Sequence, residues 1–293
     1  MNINNWLKNN VNNLKGKRVV ISGATGGLGK ELCFILAELE ADITLLCRNK
    51  QKADSLINEI KSVYAFVNID FIELDFEDLN SVKNCVSSLK KYKGIDILIN
   101  NAGVYNVPVK TLDSGFNNIF QINFLYPYYL TKMLLLELEK KENSTCIVVS
   151  SIAHNYSKID KNDIDFSTRK RASKIYGNAK RFLTFSMFEL FKTSKVNLSV
   201  VHPGVTLTNM TNHYPKLINP VIKFAIKLFF PNPKKAALNI IFGTSHKTNY
   251  HEWIGPKFFN VWGKPKLKKL STCKKQESEK IYEIAESLFS KIK

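Results

Sequence analysis

From residue 17 onward, short apolar runs alternate with longer amphipathic segments. The runs cover 19–22, 43–47, 68–74, 95–100, 146–150 and 197–202. Each is almost unbroken in its apolar character, as strands buried on both faces are. Between them, 28–39 places Leu28, Leu32, Ile35, Leu36 and Leu39 on one stripe of helical period. Segments 52–64, 79–91, 116–141 and 171–193 follow the same rule. Strand and helix alternating on this scale predict βαβ units, right-handed crossovers and helices on both faces of a parallel sheet. The expected fold is a single doubly wound α/β domain of Rossmann type with about seven strands. Ligands of such sheets lie at the carboxyl ends of the strands, so candidate chemistry is sought there.

The chain has 293 residues, 44% of them hydrophobic, enough for one large core without disulfides or a metal. No repeat and no Pro/Gly/Ser-rich linker divides it. Residues 1–16 form a polar lead-in whose seven asparagines disfavour a helix, with Trp6, Leu7 and Leu14 tucked onto the domain. Residues 17–263 form the domain, and 264–293 a basic tail with a helix at 277–292. The run Lys264-Pro265-Lys266-Leu267-Lys268-Lys269 is expected as a solvated tail. The N-terminus lacks the apolar region of a signal peptide, and no run of 18 uncharged apolar residues occurs. Cys33, Cys47, Cys85, Cys146 and Cys273 are scattered and odd in number, which suits reduced, buried thiols in a cytoplasmic protein without zinc.

Charge adds a question. The 43 basic and 25 acidic residues leave +18, which invites nucleic acid, an anionic membrane surface or a phosphorylated ligand. The basic runs sit on no recognised nucleic-acid motif and no stacking aromatics interleave them, so nucleic acid is not expected.

The first strand runs into Ser22-Gly23-Ala24-Thr25-Gly26-Gly27-Leu28-Gly29, followed by a helix. Glycines at such a turn let backbone approach a pyrophosphate, and the helix N-terminus offers N–H groups and partial positive charge. The spacing is neither the common GxGxxG nor a P-loop, since Glu31 follows Gly29-Lys30. The second strand ends in Cys47, Arg48 and Asn49, where a carboxylate would select NAD. A guanidinium there pairs with a 2′-phosphate, so NADP(H) is preferred, with NAD(H) the alternative.

Further strand ends carry Asn100-Asn101-Ala102-Gly103, Ser150-Ser151 and His202-Pro203-Gly204, with Thr208 beyond. A helical segment carries Tyr176 and Lys180. TGxxxGxG (Ser22 replacing Thr), NNAG, a strand-end Ser, YxxxK and PGxxxT, in that order, resemble the short-chain dehydrogenase/reductase family over about residues 17–260. The long Ser-to-Tyr interval, Cys-Arg-Asn and Ser-Ser-Ile-Ala-His resemble its retinol-dehydrogenase-like branch.

The resemblance implies interconversion of a carbonyl and an alcohol with a nicotinamide cofactor. Tyr176 would exchange the proton, Lys180 one turn away would favour its phenolate and bind the nicotinamide ribose, and Ser151 would hold the substrate oxygen. Asn123 would link Lys180 to water. Ser150 is the alternative to Ser151, because neighbours on a strand point opposite ways. By the same resemblance, Gly23, Thr25, Gly26, Gly27, Leu28, Gly29, Arg48 and Asn49 would contact the cofactor. So would Asp75 and Phe76 at the adenine, Asn101, Ala102 and Gly103 at the ribose, and Pro203, Gly204 and Thr208 at the nicotinamide. His154 and His202 are expected to be structural, and the insert 154–171 a surface loop beside the site. The two long helices could form a homodimer face, as in relatives.

Residues 215–231 place Lys223 and Lys227 among Phe224, Ile226, Phe229 and Phe230. This segment reads as a helix packed on the core or a peripheral membrane contact; the resemblance implies that 208–246 covers the substrate, and these side chains would then favour a hydrophobic or aromatic one. Two rival functions stand beside the reductase: a dinucleotide-binding sensor without turnover, and a basic membrane-associated protein.

Overall fold

The computed structural model describes residues 2–169, 171–205 and 232–292. Its strands are β1 (Arg18–Ser22), β2 (Asp42–Cys47), β3 (Ile69–Glu73), β4 (Ile97–Asn100), β5 (Thr145–Val149), β6 (Asn197–Val201), β7 (Glu252–Phe258) and β8 (Trp262–Lys269). They form one sheet in the order β3-β2-β1-β4-β5-β6-β7-β8, parallel throughout except for antiparallel β7–β8. The order reverses between β1 and β4, which opens a crevice at their carboxyl ends. Side chains alternating along each strand feed two cores. Val20, Leu46, Leu98 and Val148 enter one; Val19, Ile21, Leu45, Ile99 and Ile147 enter the other.

The helices are α1 (Ile3–Asn10), α2 (Gly27–Glu38), α3 (Lys50–Val63), α4 (Leu79–Leu89), α5 (Asn118–Phe120), α6 (Tyr126–Met133), α7 (Leu135–Glu139), α8 (Ala172–Leu190), α9 (Pro233–Phe242) and α10 (Lys275–Lys291). Helices α2, α3 and α9 cover one face of the sheet, while α4, α6, α8 and α10 cover the other.

Several expectations change. The lead-in is helical: Asn2 caps α1 by accepting the Asn5 N–H, and burial of Trp6 and Leu7 outweighs the poor propensity of asparagine. The sheet has eight strands, not about seven, because the lysine-rich run expected as a tail is the edge strand β8. The boundary drawn at 263/264 therefore falls inside a strand. Segment 116–141 is not one helix. A π-helical turn, Gln121–Leu125, joins α5 to α6, and α7 follows a break at Leu134.

The insert 154–171, expected as a surface loop, is fastened to its neighbours. Asp165 accepts from the backbone and side chain of Asn117, and Phe166 packs with Ile119 and Ile175. Its first residues belong to a 3-10 turn, Ile152–Tyr156.

The proposed dimer face is already covered by the chain itself. Helix α10 lies across α8, with Arg181 gripping Glu277 through two nitrogens and Tyr128 and Lys132 both reaching Glu286. Of α8, everything from Gly177 to Leu190 is buried within one chain. The five cysteines are buried, unpaired thiols. No helix among the described residues is long and apolar enough to cross a membrane.

Candidate active site

Two turns meet at the crevice. After β1, Ser22 Oγ accepts the N–H groups of Asn101 and Ala102, both at 3.1 Å. Asn101 Nδ2 returns hydrogen bonds to the carbonyls of Ser22 (3.0 Å) and Gly23 (3.3 Å). The turns after β1 and β4 are thus one unit. Gly23 has φ +67°, and a Cβ on it would stand 2.8 Å from Ala102 Cα. On Gly29 a Cβ would lie 2.2 Å from the Gly23 carbonyl oxygen. Gly26 is the N-cap of α2 and supplies no side-chain cap, so Gly27, Leu28 and Gly29 present a bare helix N-terminus. This side-chain-free cradle fits a dinucleotide pyrophosphate.

The expected cofactor residues divide by what else they do. Thr25 sets its side chain beside the Cys47 thiol at the end of β2. Asn49 caps α3 by accepting from the Lys52 N–H. Arg48 is exposed and forms no ion pair among the described residues. Asp75 accepts the Glu77 N–H at 2.9 Å. Phe76 buries its ring in the core and gives its carbonyl to Gln121, so it presents no ring to a ligand. The Pro203 carbonyl accepts from Asn239, and Gly204 turns the chain with φ +94°. Thr208 and the segment 215–231 lie outside the described residues.

Helix α8 carries Tyr176 and Lys180 one turn apart. Lys180 is buried, and Nζ donates to the Val149 carbonyl at 3.0 Å and lies 5.7 Å from the Tyr176 ring centroid. Burial brings its pKa down to about 8. Asn123, in the π turn, donates to the carbonyls of Val104 and Ile119, while its buried Oδ1 has no partner. A Cβ on Gly103 would fall 2.6 Å from that Oδ1 and 3.6 Å from Lys180 Nζ. Gly103 therefore leaves room beside an acceptor and an ammonium, polar space that suits a ligand hydroxyl or a water.

The two serines separate cleanly. Ser150 is buried and its Oγ lies 2.7 Å from Thr184 Oγ1 of α8. Ser151 lies close enough to the Tyr176 hydroxyl to lower its pKa, and accepts the Ala153 N–H at the start of the 3-10 turn. Burial pushes the Tyr176 hydroxyl up to about 12, partly countered by the Ser151 side chain.

Neither histidine competes for the proton. His154 bridges the Ser151 carbonyl and the Thr272 hydroxyl, and burial lowers it to about 4. His202 stacks on Trp253 and reaches the Asn260 carbonyl, and burial lowers it to about 3.

Two contributors were not singled out in the sequence. Gly177, beside Tyr176, admits the 3-10 turn, since a Cβ there would meet the Ala153 carbonyl at 2.4 Å. A glycine inside a strongly periodic helix was the available signal. Tyr105 sets its ring edge-on to Tyr176, with centroids 5.1 Å apart, and nothing local to Tyr105 announces that contact. The assembled groups can exchange a proton, hold an oxygen and seat a dinucleotide.

The family model for short chain dehydrogenase matches residues 17–217. Human retinol dehydrogenase 13 is 32% identical over 205 residues, 68% of this chain and 62% of its own length. Human retinol dehydrogenase 14 is 28% identical over 248 residues, 78% of this chain and 74% of its own. The chain thus spans under two thirds of the first and about three quarters of the second. Among solved structures, an uncharacterised protein from Mycobacterium paratuberculosis matches 96% of each chain with TM-score 0.77 at 22% identity. L-sorbose reductase from Gluconobacter frateurii, complexed with NADPH and L-sorbose, matches 80% of this chain and 90% of its own, with TM-score 0.62 at 18% identity. At those identities the likeness is one of fold.

Proposed function

The chain belongs to the short-chain dehydrogenase/reductase family, and from that premise we propose that it is an NADP(H)-dependent oxidoreductase. In this reading it interconverts a carbonyl and an alcohol on a hydrophobic or aromatic small molecule. The observation that carries the reading is Ser151 set beside the Tyr176 hydroxyl, with Lys180 on the same helix face, beside the glycine cradle.

The nicotinamide, when bound, supplies or accepts the hydride. The chain's own residues handle the proton and the charge. Tyr176 gives its proton to the substrate oxygen in reduction and takes it back in oxidation. With its pKa raised to about 12, the isolated hydroxyl holds its proton at neutral pH. The Lys180 ammonium favours the phenolate left behind. Ser151 donates to the substrate oxygen as charge develops on it. Asn123 Oδ1 faces the space beside Lys180 and orients what binds there. Gly23 to Gly29 hold the pyrophosphate by backbone N–H groups, and Asn101 to Gly103 border the ribose.

Arg48 supports the preference for NADP(H), being exposed, without an ion pair among the described residues, and at the end of β2. Arg48→Ala should weaken NADPH binding about 10- to 100-fold, the worth of charge-assisted bonds to a phosphate, and NADH binding hardly at all. Equal losses in a fluorescence titration with both cofactors would take Arg48 off the 2′-phosphate.

Lys180 gives the binding a pH dependence. Its ammonium exists below about 8 and is lost above, whereas an ordinary lysine keeps its charge to about 10.4. NADPH affinity of the free protein should fall as pH rises through about 8, and Lys180→Met should flatten that fall. Affinity constant up to pH ~10 would contradict the assignment.

The proposed activity is tested by following NADPH oxidation with a panel of aromatic, aliphatic and polyene aldehydes and ketones. Retinol-type compounds belong on the panel because the relatives' names refer to them. Tight NADPH binding without turnover on any member would favour a sensor instead.

A further inference from the structure

The β7–β8 hairpin projects from the carboxyl edge of the sheet. Ile254 is the last β7 residue paired with β6, opposite Val201, and the strand runs four residues beyond it to Phe258, about 13 Å of extended chain. The hairpin turns through Phe259 and Asn260, both left-handed at φ +50° and +57°, and closes with the Val261 N–H on the Phe258 carbonyl. Such turns ordinarily take Asn-Gly. A phenylalanine held at positive φ is strained, and this one is 85% exposed.

Phe258 and Trp262 face each other across the strands and are also exposed. Four of the ten large hydrophobic residues exposed among the described residues lie in this hairpin. Behind the tip stand Lys257, Lys264, Lys266 and Lys269, none in an ion pair with a described residue. Lysines and Pro265 on β8 also guard an open sheet edge against pairing with another chain. That duty does not explain a strained aromatic residue placed outermost.

We propose that this hairpin docks the protein on an anionic lipid bilayer, Phe258, Phe259 and Trp262 entering the interface and the lysines meeting the headgroups. The chemistry matches on both counts: apolar rings at the point, and cationic charge set back from it, with Glu252, the one carboxylate of the two strands, at the far end opposite Lys269. A second copy of so basic a chain would be repelled from the same surface. A nucleic-acid strand would want a groove with rings and lysines interleaved, not a ridge with the rings at its crest.

The hairpin is also joined to the candidate active site. His202 hydrogen-bonds the Asn260 carbonyl, and Gly204 abuts Pro256. A docked tip would set the mouth of the crevice at the interface, where apolar carbonyl compounds concentrate. The docking itself does not depend on the proposed chemistry and is measured without substrate.

The test is co-sedimentation of the full chain with phosphatidylcholine vesicles, with and without phosphatidylserine. Quenching of tryptophan fluorescence by brominated lipid gives a second readout, because Trp6 and Trp253 are buried and Trp262 is exposed. Binding should require phosphatidylserine and weaken with salt, and Trp262 should be quenched. Each of Lys264→Gln and Lys266→Gln should lower partitioning about fivefold. Phe259→Gly is the decisive variant: it suits the left-handed turn, so thermal stability should hold or rise while partitioning falls about tenfold. Wild-type binding that does not need phosphatidylserine, or partitioning untouched by Phe259→Gly, would overturn the proposal. So would tighter binding of a single-stranded oligonucleotide through the same residues.

Discussion

Tyr176→Phe should lower kcat by about a thousandfold or more, toward the upper end of what one positioned acid–base group contributes. NADPH affinity should change little. The substitution removes one oxygen and leaves the ring. The ring's edge-on contact with Tyr105 and its neighbours in the Ile119–Phe166–Ile175 cluster therefore survive. What is lost is the proton and the oxygen that stands beside Ser151. Neither His154 nor His202 can replace it: both are buried, neutral and already engaged, with pKa values of about 4 and 3. The measurement is steady-state reduction of a carbonyl compound alongside a cofactor titration. Turnover undiminished in the variant would remove Tyr176 from the chemistry. A parallel collapse of NADPH affinity would mean that the hydroxyl serves binding instead.

Gly29→Ala should cripple cofactor binding through backbone alone. Its Cβ would stand 2.2 Å from the Gly23 oxygen and 2.8 Å from the Ala24 oxygen. Both are main-chain atoms, so no flexible side chain can move aside. Either α2 slides outward or the turn opens, and both change the direction of the N–H groups at the cradle. Overpacking of this kind costs roughly 1–3 kcal/mol in stability. NADPH affinity should fall at least about a hundredfold, because misplaced donors no longer meet the pyrophosphate together. Gly26→Ala is the comparison. Its Cβ would meet only the Gly23 oxygen, at an ordinary 3.4 Å, so the loss should be limited to a poorer cap of about 1 kcal/mol. Calorimetric titration of both variants separates the cases, and equal affinities would show that close packing at Gly29 does not shape the cradle.

Much of this was legible because it is local. Strands buried on both faces announce themselves as apolar runs, and Tyr176 and Lys180 show their common face by spacing alone. Long-range choices were not legible. Alternation says that Ser150 and Ser151 point apart, but only Thr184, 34 residues on, decides which one turns inward. Strand β8 escaped because an exposed edge strand of Lys and Pro carries no apolar period. The α1 helix escaped because propensity was weighed without its cap and the burial of Trp6. Helix α10 was anticipated, but nothing in its sequence says that Arg181 and Glu286 partners await it on α8 and α6, or that it therefore occupies the face assigned to a dimer.

The π turn at Gln121–Leu125 was invisible for a related reason: one extra residue in a turn barely disturbs a hydrophobic period, yet it shifts the register of everything after it. That has a consequence for how this segment can vary. Each residue inserted into or deleted from a helix rotates the remainder by about 100°. Upstream of the turn, Asn117 is tied to Asp165; downstream, Tyr128 and Thr131 are buried against fixed partners. With both ends clamped and every residue from 117 to 131 buried, the segment is held in number as well as in side-chain volume. Descendants of this chain should show only side chains of like volume there, and almost never a gap.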